Sequence, residues 1–181
     1  MSCVRAASAL IVLSTLVVGC STTPKTDNAR AELRTDSVAG LAKFRQEDSS
    51  LGAFLDKSHG YAIFPTVGKG GIGIGGAHGR GEVYEKGAFV GYSQLAQASI
   101  GFQLGGQSFG ELLVFQNQAA LDKFKTGNYE LSAQASAVAA KAGAAAQSEF
   151  RDGIAIFTVT NAGLMYEAVV AGQKFSFEPA Q

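Results

Sequence analysis

The chain has 181 residues with 15 basic and 15 acidic side chains, a formal net charge of zero, which excludes the broad positive surface that non-specific nucleic-acid binding requires. Glycine supplies 23 residues against a usual share of about 7%, proline supplies 3, and 46% of the chain is apolar while only 17% is charged. A disordered charged tail has the opposite balance, and the length suits one domain.

Residues 1–19 read as a leader, not as fold. Arg5 is the only charge before an apolar run from Ala6 to Val18. The run is too short for a membrane-spanning helix, which takes about 20 residues, and has the length of the hydrophobic region of a secretory signal. It ends in Leu16-Val17-Val18-Gly19-Cys20, which resembles the lipobox of bacterial lipoproteins. The resemblance implies cleavage before Cys20 and a diacylglyceryl, palmitate-type anchor on its sulfur; an ordinary signal with an incidental cysteine is the alternative. Ser21 in place of an aspartate is similar to the pattern of outer-membrane lipoproteins, so the expected location is the bacterial cell envelope, on the outer membrane. Cys3 leaves with the leader and Cys20 is acylated, so no disulfide is expected. Each buried acyl methylene contributes about 0.8 kcal/mol, and more than one chain makes a stable anchor.

Residues 20–28 are small and polar, as in a flexible tether. From Ala29 to Lys57 the apolar residues Leu33, Leu41, Phe44, Leu51, Phe54 and Leu55 fall on one stripe at helical spacing, an amphipathic helix or two joined near Ser49-Ser50, with Asp27 or Asn28 as its cap. Beyond His59 the period becomes two. Tyr61 to Phe64 reads as a buried strand stopped by Pro65, Glu111 to Phe115 as a central strand, and Gln118 to Thr126 as a short helix ended by Gly127. Tyr129 to Ala137 alternates and reads as a strand, while Ala142 to Phe150 has the composition to curl. Ile154 to Thr160 and Leu164 to Val170 read as strands around a loop at Asn161-Ala162-Gly163, and Lys174 to Phe177 as a last one. The expected fold class is α+β: one strongly curved antiparallel sheet, barrel-like, with an N-terminal amphipathic helix and a short additional helix.

Two glycine motifs invite catalytic readings that their context opposes. Gly71-Ile72-Gly73-Ile74-Gly75-Gly76 is a literal GxGxxG, but Ala77-His78-Gly79-Arg80-Gly81 follows where a dinucleotide site needs a helix; a glycine-rich strand is expected. Gly106-Gln107-Ser108-Phe109-Gly110 matches a nucleophile elbow, yet both histidines, His59 and His78, precede the serine, whereas in the α/β-hydrolase fold that carries this elbow the acid and the histidine follow it. Two histidines nineteen residues apart, without an available cysteine, make a poor metal site. No catalytic residue, metal or cofactor is expected. Arg30, Arg34, Lys43 and Arg45 fall on the first helix among Glu32, Asp36 and Glu47, either a solvated face or an interfacial helix approaching headgroups.

Ser58 to Pro65, then Lys69-Gly70-Gly71-Ile72-Gly73-Ile74-Gly75-Gly76 with Gly79 and Gly81, then Ala98 to Gln107 and the Glu111-Leu112-Leu113-Val114-Phe115 strand form an ordered string that closely resembles the SYLF domain, the Las17-binding actin-regulator family. The resemblance covers roughly residues 29–178 and places the domain at 29–181. Residues 138–147 depart from the glycine-proline turn usual in relatives. The resemblance implies a binding module and not an enzyme, since eukaryotic relatives bind phosphoinositides, partly through an amphipathic N-terminal helix, and some bind actin. For an envelope protein it implies lipid binding at phosphoinositide-like or other anionic phospholipid headgroups, with Arg30, Arg34, Lys43, Arg45 and Lys69 as the expected lipid-binding residues. The alternative is an interaction lipoprotein that binds protein partners or itself.

Overall fold

Thr26 opens the first helix: its backbone is extended and its hydroxyl accepts the Ala29 N–H at 3.2 Å, so α1 runs Asp27–Glu47. The expected caps Asp27 and Asn28 instead lie in its first turn, because the side chain that reaches the free N–H groups belongs to the residue just outside the helix. The structure, a computed structural model, describes residues 22–101, 106–132, 135–162, 170 and 172–180; the leader, Cys20 and most of the expected strand Leu164 to Val170 lie outside them. Helix α2, Leu51–Asp56, follows a break at Asp48–Ser50, where the sequence places it.

The remaining elements are β1 (Gly60–Glu85), β2 (Ala88–Gly101), β3 (Gln107–Phe115), α3 (Gln118–Lys125), β4 (Tyr129–Glu130), β5 (Val138–Ala139), a 3-10 turn (Ala145–Gln147), β6 (Ile154–Ala162) and β7 (Lys174–Pro179). They form one sheet in the order β4-β7-β2-β1-β3-β6-β5. This is the expected α+β class, with β3 central and α3 ended by Gly127 at φ 78°. One pairing departs from the antiparallel pattern, as β5 runs parallel to β6.

Pro65 does not stop the first strand. The pairing register of β1 with β3 shifts between Phe64 and Val67, so the proline occupies an irregularity where its missing N–H interrupts no ladder bond. Nor is β1 one straight strand. Its first arm pairs with β3 through Gly60–Lys69 and its second with β2 through Gly73–Glu85. Lys86 N–H donates to His59 O at 2.9 Å, and Gly60, Gly79 and Gly81 each press on backbone of the opposite arm. The glycine string therefore folds back against the strand that precedes it, which is why a helix-starting phosphate loop cannot form there.

Curvature follows from contacts that a flat sheet forbids. Neighbouring strands are ~4.8 Å apart, yet the rings of Phe64 on β1 and Phe175 on β7 lie 5.5 Å apart with β2 between their strands. Gln173, beside β7, donates to Glu111 on β3 at 3.0 Å. The concave interior holds Phe64, Val67, Val83, Leu95, Phe109, Leu113, Phe115 and Phe175, closed at one end by Leu121 and Phe124 of α3. On the convex side Phe44, Leu51 and Leu55 of the two helices cover Ile63, Leu112, Val114 and Phe157.

Small residues make the tight turns of this sheet possible. A Cβ at Gly81 would collide with Ile63 O and approach the Phe64 ring at 2.7 Å. Gly81→Ala should destabilise the fold by about 1–3 kcal/mol through overpacking. Gly52→Ala, on α2 with nothing within 4 Å of the new methyl, should instead stabilise it by about 0.5–1 kcal/mol. Urea unfolding midpoints of the two variants check both signs.

The expected strand Tyr129 to Ala137 is replaced by a strap. After β4 the chain leaves the ladder and crosses from one sheet edge to the other, and among the described residues its next strand pairing is at Val138–Ala139. Leu131 is held by Gln173 O and Gly172 N–H at 3.0 and 3.1 Å, and Ala135 and Ala137 pack on the interior core. The alternation holds as an inside–outside pattern for Tyr129, Leu131, Ala135 and Ala137, but among the described residues no continuous partner strand runs beside it. The Ala142 to Phe150 stretch does curl, into the 3-10 turn.

Candidate functional site

The basic residues of α1 are drawn into the fold by different partners. Arg30 pairs with Asp27 at 2.6 Å and donates Nε to Pro24 O at 3.2 Å. Arg34 donates to Glu82 at 3.0 Å and lies over the Phe89 ring, 4.5 Å from its centroid, and near Tyr84 at 5.7 Å. Glu82 is fully buried and also accepts the Tyr84 hydroxyl at 2.7 Å; burial, then the Glu82 carboxylate, pushes that phenol above its ordinary range. Lys43 donates to Thr160 O at 2.7 Å and Asn161 Oδ1 at 2.8 Å, clamping α1 to the end of β6; Asn161 and Ala162 belong to that strand and not to the expected loop. Arg45 is exposed in the last turn of α1, and Lys69 lies buried on β1 at 9% exposure rather than beside an open glycine turn.

The structure thus gathers no cluster from Arg30, Arg34, Lys43, Arg45 and Lys69. The apolar stripe of α1 and α2 is turned to the sheet, with Phe44, Leu51 and Leu55 buried. Among described residues the exposed large hydrophobic is Val38, so the first helix is docked and presents a polar outer face.

Other motifs settle as structure. Ser108 lies mid-sheet, paired with Gly68 on one side and Ala162 on the other, which is not the sharp strand-to-helix turn of a nucleophile elbow. Both histidines are hydrogen-bonded: His59 Nε2 to Glu85 at 3.1 Å and His78 to Gln94 at 2.7 Å. Lys125 also reaches Glu85 at 2.9 Å, and the bonds from Lys125 and His59 hold that carboxyl below its ordinary range. No group of three His, Cys, Asp or Glu among the described residues could hold a metal ion.

Asp48, which the sequence reading passes over, ties the helical break to the far edge of the sheet. It is buried and accepts from Ser50 N–H and Oγ, and from Gly143 and Ala145 N–H at 3.1 and 2.6 Å. Burial raises its pKa, but these four bonds outweigh that and lower it. It positions the 3-10 turn, and with it one wall of a cleft.

That cleft, of about 480 Å³, opens between the strap and β6, where β4 and β5, the two sheet edges among the described residues, are not paired with each other. Leu131, Ala135, Val138, Ile154 and Ile156 form an apolar floor, and Lys123, Lys141 and Arg151 stand with Glu130, Glu149 and Asp152 around it. Lys123 Nζ lies 5.6 Å over the Tyr129 ring, and Glu130 is turned to Lys174 at 3.6 Å. No described helix is long and apolar enough to cross a membrane. No sequence signal marks this set, because its members come from both sheet edges and only the closing of the curve brings them together.

The stretch that builds the cleft is also the stretch that matches a known family. The model of the family described as Las17-binding protein actin regulator, Ysc84, matches residues 96–179, which include both walls of the cleft. Over 154 residues the chain is 27% identical to beta cell expansion factor A of Aeromonas veronii, covering 84% of this chain and 59% of that protein. The chain therefore spans less than two thirds of that relative's length. With the glycine string folded into the sheet and the central strand in place, the part of the chain from 96 to 179 is similar to the Ysc84, or SYLF, family.

Proposed function

We propose that the chain is a non-catalytic membrane-lipid-binding domain, held to the bacterial envelope, at the outer membrane, by an acyl group on Cys20 and selective for anionic headgroups. The observation that carries this reading is the cleft between the sheet edges. An apolar floor open to the surface takes part of an amphiphile, and its volume lies within the usual range of small-molecule sites. With Glu130 turned to Lys174, Lys123, Lys141 and Arg151 outnumber Glu149 and Asp152 around it, a small cationic excess that favours a phosphate-bearing headgroup. Of the helical set, Arg45 at the end of α1 is exposed.

Vesicle co-sedimentation tests the reading on the body with Cys20 replaced by serine. Binding to anionic phospholipid vesicles should exceed binding to zwitterionic ones severalfold at low salt, and should weaken as salt shortens the screening length to about 8 Å. Equal and negligible sedimentation with both would contradict it. The family description names a bound protein, which favours a second reading as a protein-interaction lipoprotein; that reading predicts capture of an envelope protein or self-association by light scattering, without vesicle binding.

A further inference from the structure

Residues 20–28 read as a tether in the sequence, yet the part of them that the structure describes is fastened down. Glu178 on β7 accepts the Thr22 N–H at 3.2 Å with one oxygen and the Thr23 N–H at 2.8 Å with the other. The hydroxyls of Thr22 and Ser176 lie 2.7 Å apart, and Ser176 O in turn accepts the Ser93 hydroxyl at 2.7 Å. Thr22 is 4% exposed and Pro24 is buried, and Arg30 of α1 closes over Pro24 O. A carboxylate accepting two successive backbone N–H groups makes charge-assisted bonds, roughly twice as strong as neutral ones.

We propose that this arm is a clasp that fixes where the anchor leaves the body, so that the domain sits on the bilayer by the outer face of β2 and β7. The inference rests on the reading of Cys20 as the acylated residue. Cys20 stands two residues before Thr22, a reach of at most ~7 Å for extended chain. Nine free residues would instead hold the body at a typical distance of roughly 17 Å. The outer face is set by register: Phe175 points into the core, so Lys174, Ser176 and Glu178 point outward, with Ala96 opposite Lys174 and Tyr92 opposite Glu178. The partner is a lipid surface, met by Lys25, Arg30 and Lys174 around the clasp; all but Arg30 are exposed.

The test uses the chain expressed with its own leader. Thr22→Cys with Ser176→Cys should close to a disulfide on mild oxidation in the membrane-bound, acylated chain, since the two side chains already touch. A fluorophore on Ala96→Cys should be quenched by a headgroup-attached quencher at least twofold more than one on Ala53→Cys, an exposed position of α2 that belongs to neither the cleft nor the clasp. Glu178→Gln, which keeps the shape and removes the charge, should expose the Thr22 and Thr23 amides to hydrogen exchange. An acylated, membrane-bound chain that forms no disulfide, or that shows equal quenching at both positions, overturns the clasp and leaves the anchor standing. A free Cys20 thiol with the chain in the soluble fraction overturns the anchor, and this placement with it.

Discussion

Replacing Arg34 by alanine should destabilise the domain by about 2 kcal/mol, more than any other single change on the exposed side of α1. Glu82 beneath it is fully buried, and stripping the partner from a buried carboxylate typically costs about 3–5 kcal/mol. The half-exposed guanidinium, with 45% of its side chain open, reduces that figure because solvent screens its side of the pair. Tyr84 still donates to Glu82, which limits the loss further. Lysine should rescue poorly, since a compact ammonium cannot both pair with Glu82 and lie flat over Phe89. Arg34→Met combined with Glu82→Gln should recover most of the stability, as no buried charge is then stranded. Denaturant midpoints of the single and double variants check this, and they bear on function as well: weaker vesicle binding by an Arg34 variant reports a loosened helix, not a lost headgroup contact.

The second large effect is a dependence of stability on pH that comes from inside the curved sheet. Glu111 is wholly buried among the aromatic residues, its Oε1 has no hydrogen-bond partner among the described residues, and Gln173 reaches its other oxygen. Burial pushes its pKa from 4.5 up to about 8, against the smaller opposing effect of the Gln173 amide. The folded state therefore holds a proton that the unfolded chain releases near pH 4.5. Stability from this group is complete below pH 4.5 and declines as pH rises to about 8, at up to ~1.4 kcal/mol per unit, a loss of a few kcal/mol in all. Asp48 and Glu85, whose pKa values are lowered, act in the opposite sense and withdraw stability as pH falls below the ordinary carboxylate range. The chain should be most stable near pH 5. Glu111→Gln, which can exchange two amide bonds with Gln173, should flatten the alkaline side, so that the variant overtakes the parent above about pH 7 in thermal melts.

These effects show which features a one-dimensional reading can find. The break between α1 and α2, the interior strand from Glu111 and the α3 stop at Gly127 were legible because each is encoded by neighbours in sequence: a run of serines, an unbroken apolar stretch, a left-handed glycine. Pro65 misled because its local meaning, the end of a strand, was overridden by a register shift that only the opposing β3 residues create. The basic residues of α1 misled for a related reason. Arg34 and Lys43 look like a charged face until Glu82, forty-eight residues away, and Thr160, farther still, arrive beneath them. The clasp was invisible because its partners lie at opposite ends of the chain, as Thr22 and Glu178 do, and the cleft because the curve of the sheet, not any spacing between Lys123 and Ile156, sets its walls facing each other. The family resemblance carried no mark of the open surface.

The claim on which the account depends is that the cleft recognises an anionic lipid surface. Its most direct test is a vesicle titration comparing the parent body with a variant carrying Lys141→Glu and Arg151→Glu, both at the cleft and exposed, with unfolding midpoints showing that both are folded. The parent should bind anionic vesicles, and the variant should lose at least tenfold in affinity. Undiminished binding by a folded variant, or no binding by the parent, would contradict it.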